Sequence, residues 1–234
     1  SFATKTRTEL NARIASYRPL IGSNTAVLCL QNGIDSFEAA ARFHGGEKVL
    51  PGAAYVDGSL KGPGVVRQIG NDVELVFGEP DGAESPRCEA ISATFRKAGI
   101  PANLSNNIQR TLWTKFLYIA TTAGVMSLSR QTMDHLLPLP EWRRVIMGCM
   151  EEINTVGLAL GVDLDQNIVQ DTIEYIEGAL DEMHASMHAD ILAGRPLELE
   201  ALNGAVVRAG ESAWVPTPTN NVIYAALKPF ASGS

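Results

Sequence analysis

Cysteine is scarce in this chain. Cys29, Cys88 and Cys149 are its only thiols, far apart and set in apolar or helical surroundings. An odd count without paired spacing argues against a disulfide framework or a zinc knuckle and fits buried thiols in a reducing cytoplasm. Long hydrophobic runs are missing too. None reaches the roughly 18 residues that span a bilayer, and no secretory leader is read, so no membrane role is expected. Basic charge is in deficit, with Lys+Arg 19 against Asp+Glu 26 and a net charge of -7. Nucleic acid and anionic membrane surfaces are therefore not the expected partners. Neither G-x-G-x-x-G nor G-x-x-x-x-G-K-[ST] occurs, and H-E-x-x-H is absent. The chain also has no initial methionine. SFATKTRTELNARIASYRPL reads as the end of one strand followed by an amphipathic helix, so a preceding N-terminal portion is expected.

What remains is ordinary globular composition: 234 residues, 45% hydrophobic, Gly 21 and Pro 12, enough for one large or two small domains. Helical spacing (Leu10, Ile14, Tyr17) precedes AVLCL at 26–30, a continuous apolar run suited to a covered parallel strand. Gln31-Asn32-Gly33 ends that run, and a helix is expected from about 35 to 43. VLPGAAYVDGSL, GPGVVRQIG and DVELVFG read as short antiparallel strands, followed by a helix at about 85–98 and an edge strand at 101–105. Helices are then expected at about 107–124, 140–160, 165–192, 197–212 and 217–229, with prolines near starts and glycines near ends. Strands first and helices later imply two domains, an α/β domain over 1–105 and an all-α domain over 106–234.

Within the helical half, NNIQRTLWTKFLYIATTAGVMSLS places Lys115 between Trp113 and Phe116. Such a lysine either snorkels, with its ammonium in water, or is partly desolvated, so that it exchanges a proton near neutrality. Asn32, beyond a strand's carboxyl end, is either a turn residue or a ligand contact. In the polar cluster HASMHADILAGRPLELEALNG, Ser186 and Asp190 share a helix face. His184 and His188 have the spacing of two metal ligands, but no third ligand is obvious, and solvated histidines are the preferred reading. Glu198 and Glu200 follow a Gly-Arg-Pro turn, where a glutamate commonly serves a helix start.

Four blocks taken together carry a resemblance: QNG at 31–33, LWTKF at 112–116, SMHADILAGRPLELEALNG at 186–204 and VPTPTNNVIYAALK at 215–228. Their order and spacing resemble the ketopantoate reductase family from Ser1 to about Lys228. The resemblance implies a Rossmann domain for NADPH, a helical C-terminal domain, and cytoplasmic reduction of 2-dehydropantoate to pantoate in pantothenate synthesis. Lys115 then corresponds to the proton-donating lysine, and Glu198 to the glutamate beside substrate and cofactor. Ser186 matches the hydroxyl that holds the substrate, and Asp190 a nearby acid. Asn32 matches the asparagine touching nicotinamide and substrate, Lys5 a lysine near the cofactor, and Glu152 a further active-site acid. No metal is implied, and a homodimer is an open assembly.

Two departures accompany the resemblance. The family's glycine-rich turn would lie upstream of Ser1, leaving the dinucleotide domain incomplete here. The family's asparagines four and eight residues after the lysine are replaced by Ile119 and Ala123. A pocket that loses hydrogen-bonding groups changes its preference. Reduction of another small 2-oxo acid or carbonyl is thus the alternative, followed by a non-catalytic helical dimerisation or ligand-sensing module.

Overall fold

The computed structural model describes residues 7–180 and 183–233. Helix α1 (Arg7–Ser16) precedes strand β1 (Val27–Cys29), and helix α2 (Ser36–His44) crosses over to β2 (Val49–Gly62), which pairs with β1 in parallel. Strand β3 (Val65–Phe77) returns antiparallel to β2. Helix α3 (Pro86–Lys97) then leads to β4 (Ala102–Leu104), parallel to β3, for a sheet order β1-β2-β3-β4. The three runs at 49–77 thus form two long strands. The ladder passes through Gly58 opposite Gln68, with irregularities at Tyr55/Asp57 and Leu60/Gly62 that absorb what would otherwise be breaks. Ser85 caps α3 by accepting a hydrogen bond from the Cys88 amide at 3.2 Å, and Pro86 opens the helix where a missing N–H has no consequence. Leu50, Leu75, Phe77, Cys88 and Ala102 form the core of this α/β region.

A largely helical region follows: α4 (Ile108–Ser129), α5 (Met133–Leu136), α6 (Pro140–Ala159), α7 (Ile168–Gly178), α8 (Ser186–Leu192), α9 (Asn203–Ala213) and α10 (Pro218–Leu227). The span read as one helix over 165–192 holds α7 and α8, α7 stopping at Gly178. Helix α9 starts at Asn203, not near 197. Leu197, Glu198 and Leu199 are buried three in a row, which a one-faced helix does not allow, so packing overrides helical propensity there. In α6, a Cβ on Gly157 would lie 2.8 Å from Leu164 and 3.0 Å from the Trp113 ring, so only glycine admits that ring. Among the described residues no helix is long and apolar enough to cross a membrane.

A buried polar network ties four of these helices together. The Asn220 side chain donates to Glu152 (2.8 Å) and to the Cys149 carbonyl (3.1 Å), and accepts from Asn203 (3.1 Å) and the Cys149 thiol (3.2 Å). Asn203 also donates to the Ala120 carbonyl at 3.2 Å. Asn203 and Asn220 are fully buried; the network pairs the whole Asn220 amide and the Asn203 nitrogen, and the Asn203 Oδ1 is left without a hydrogen bond among the described residues. All three cysteines are buried free thiols.

The chain divides into two compact units. One takes the helical residues from Trp113 onward together with Asn32–Asp35 and the described residues up to Arg13; the other takes Ile14–Gln31 and Ser36–Leu112.

Candidate active site

Lys115 lies on α4 between Trp113 and Phe116, whose rings meet edge to face at 5.8 Å and are almost wholly buried. The lysine itself is half-buried. Burial lowers its pKa from the ordinary 10.5 to about 8, against a smaller upward pull from the negative charge of Glu198. The desolvated alternative is therefore the one this helix adopts.

Glu198 is buried (9% exposed), yet it stands on a turn and not in a helix. Leu197 and Leu199 peg the segment into the helical core on either side, and the Leu197 amide donates to the Ala231 carbonyl at 2.9 Å. The Glu198 carbonyl then accepts from the amides of Ala201 (3.0 Å) and Leu202 (3.2 Å), closing the turn ahead of α9.

Asn32 is exposed on the loop that leaves β1, and that loop belongs to the helical unit. Gly33 has φ +98°, and a Cβ there would sit 2.7 Å from the Ala201 carbonyl oxygen. Glycine is thus required both for the left-handed backbone and for the close approach to the Glu198 turn. Ile34 packs against the helical core, and the Asp35 carboxylate accepts from Arg208 at 2.9 Å.

Ser186 opens α8 and is exposed. Asp190, one turn later, is paired with Arg195 at 2.8 Å. The structure thus assembles Lys115, Glu198 and the Asn32 loop, and holds Ser186 and Asp190 on a separate short helix. Lys5 lies outside the described residues. Glu152 caps α10, its two carboxylate oxygens accepting the Thr219 (2.7 Å) and Asn220 (2.9 Å) amides. His184 is exposed and His188 buried, its imidazole held below the usual value chiefly by burial. No group of three potential metal ligands occurs among the described residues.

Sequence reasoning did not single out Asp35, Arg208, Tyr224 or Lys228, which surround Glu200. Arg208 donates to the Glu200 carboxylate (3.1 Å) and carbonyl (2.7 Å), Tyr224 to the carboxylate (2.8 Å), and Lys228 pairs with it. Burial pushes the Glu200 carboxyl up, but the bonds from Lys228 and Tyr224 and the charges of Lys228 and Arg208 outweigh it, leaving it below its usual value. No spacing signal reveals a cluster that joins residues 200–228 to Asp35, 173 positions from Arg208.

Chemically, a half-buried ammonium with a pKa of about 8 can give up its proton near neutrality, and a buried carboxylate favours its charged form. The exposed Asn32 amide stands beyond the carboxyl end of a parallel strand, where α/β folds bind their ligands.

Comparison with known proteins adds to this geometry. A sequence profile described as "Ketopantoate reductase PanE/ApbA C terminal" matches residues 107–231, and one described as "Ketopantoate reductase PanE/ApbA" matches residues 2–82. The 2-dehydropantoate 2-reductase of Mycobacterium tuberculosis (strain H37Rv) is 29% identical over 92% of this chain and 70% of its own length. A solved 2-dehydropantoate 2-reductase from Geobacter metallireducens GS-15 superimposes with a TM-score of 0.86 at 28% identity, covering 95% of this chain and 74% of that one. A dimeric ketopantoate reductase from Staphylococcus aureus gives 0.83 at 25% identity, covering 96% of this chain and 74% of that one.

Proposed function

The chain belongs to the PanE/ApbA ketopantoate reductase family, and on that premise we propose that it reduces 2-dehydropantoate to pantoate with NADPH. The observation that carries this reading is Lys115, a half-buried ammonium lowered to about 8 beside the charge of Glu198. NADPH, when bound, supplies a hydride to the C2 carbonyl carbon. As the C=O π bond opens, negative charge gathers on oxygen, where Lys115 stabilises it and then transfers its proton to form the alcohol. The neutral amine regains a proton from water, so each turnover consumes one hydride and one proton. Glu198 holds Lys115 charged before that step and takes a ribose or substrate hydroxyl. Asn32 orients nicotinamide and substrate together, Ser186 holds the substrate, and Asp190 acts beside it. Residues 1–105 serve cofactor binding and 106–234 catalysis.

A second reading has its own support. Ile119, half-buried on the helix of Lys115, offers no hydrogen bond where the family carries an asparagine, and Ala123 is buried in the core one turn on. A more apolar 2-oxo acid is the substrate on this reading. The three buried free thiols suit a cytoplasmic location, and the dimeric Staphylococcus aureus relative supports a homodimer. The deciding experiment follows NADPH absorbance with 2-dehydropantoate and a panel of short 2-oxo acids. Lys115→Ala should lower kcat by roughly two to four powers of ten with cofactor affinity largely kept. Loss of cofactor binding with unchanged turnover would move Lys115 from chemistry to binding.

A further inference from the structure

We infer that Asp35, Arg208 and Glu200 form an ionic clasp that seats the Asn32 loop on the Glu198 turn, which makes Arg208 a positioning residue of the site. The inference rests on the proposed reductase reading for its catalytic consequence, but the clasp itself is a matter of geometry. One guanidinium spans the two segments: it donates to Asp35 at 2.9 Å, to the Glu200 carboxylate at 3.1 Å and to the Glu200 carbonyl at 2.7 Å. Asp35 follows Asn32 by three residues, and Glu200 follows Glu198 by two. A bond between partners 173 positions apart thus fixes the separation of the two groups meant to act on one substrate.

The clasp is built more firmly than a surface ion pair. The Arg208, Asp35 and Glu200 side chains are 30%, 32% and 20% exposed, so water screens them only in part. Lys228 and Tyr224 hold Glu200 from another side, so the acceptor is fixed before Arg208 reaches it. Between the two charged ends, Gly33 lies against the Ala201 carbonyl with no room for a side chain. The loop therefore has a steric stop at Gly33 and an electrostatic latch at Asp35. Arginine is the residue suited to this latch, because its planar fork reaches a carboxylate on one side while bonding a carboxylate and a carbonyl on the other. A lysine would supply charge without the fork.

The test measures hydrogen exchange of the 31–35 amides and kcat/KM for the best 2-oxo acid, in wild type, Asp35→Asn, Arg208→Gln and Arg208→Lys. Breaking the latch should speed exchange in the loop by about tenfold or more while α4 and α6 keep their protection. It should lower kcat/KM by about tenfold, with Arg208→Lys recovering only part. In an Asn32→Ala background, Arg208→Gln should add little further loss, because a residue acting through Asn32 has nothing left to position. Unchanged loop exchange in both Asp35→Asn and Arg208→Gln, or full additivity with Asn32→Ala, overturns the inference. A wild-type protein that reduces no 2-oxo acid refutes the reductase reading instead, and the exchange measurement still decides the clasp. Should Arg208→Gln fail to fold, Asp35→Asn removes the ionic half of the latch and Asp35→Ala the bond itself, both without touching Glu200.

Discussion

Replacing Lys115 by methionine should remove activity and strengthen the fold at the same time. Methionine keeps an unbranched apolar stem at this half-buried position but lacks the ammonium that burial disfavours. The fall from 10.5 to about 8 is worth about 3 kcal/mol at ~1.4 kcal/mol per pH unit. Some water reaches the half-buried ammonium, so a gain of ~1–3 kcal/mol near pH 7 is the expectation. The sign follows from linkage. The folded chain binds this proton more weakly than the unfolded chain, so the penalty is full below about pH 8 and is relieved as pH rises toward 10.5. Urea unfolding of both proteins at about pH 7 and about pH 10 reads the effect, with NADPH oxidation followed in parallel. The methionine protein should be more stable at the lower pH, with an advantage that shrinks at the higher. Destabilisation at neutral pH, or an equal gain at both, would refute the claim that Lys115 is held desolvated against its preference.

Other outcomes are expected. On the proposed reading reduction needs the charged lysine, so kcat/KM should fall as pH rises through about 8; Glu198→Gln removes the charge that raises the Lys115 pKa and should move that fall to lower pH in a pH–rate profile. Ile119→Asn should raise kcat/KM for 2-dehydropantoate by about two- to tenfold, the worth of one regained hydrogen bond; Ala123→Asn would bury an amide in the core and should lower the Tm instead. Glu152→Ala uncaps α10 and should cost roughly 2–3 kcal/mol in thermal or urea unfolding, from three hydrogen bonds at about 1 kcal/mol each. Normal stability with lost turnover would return Glu152 to the active site.

The legible parts of this molecule were local. The alternating prolines and glycines of the second half mark helix ends to within a residue or two at Pro140 and Pro218, because those residues act through their own backbone. The aromatic neighbours of Lys115 in sequence left snorkelling and desolvation equally open, because side chains one and two positions apart do not share a helix face; burial in the fold is what lowers its pKa. What stayed hidden was decided by tertiary contacts. Leu197 and Leu199 looked like the first turn of a helix, but burial of three residues in a row holds them in the turn ahead of α9. Glu152 resembled an active-site acid, yet it meets the amides of residues 219 and 220, 67 and 68 positions away. No periodicity along the chain foretells that pairing.

The sealed thiols give this chain a built-in record of how it comes apart. Burial pushes Cys29 up to about 11 and Cys149 up to about 12, and Cys88 is raised as well, so almost no thiolate exists in the native state near neutrality. An alkylating reagent therefore marks only molecules that have opened. Cys29 and Cys88 belong to the α/β unit and Cys149 to the helical one. The mass tag acquired first in a short pulse thus names the less durable half. Simultaneous tagging of all three would mean that the two units melt as one cooperative body.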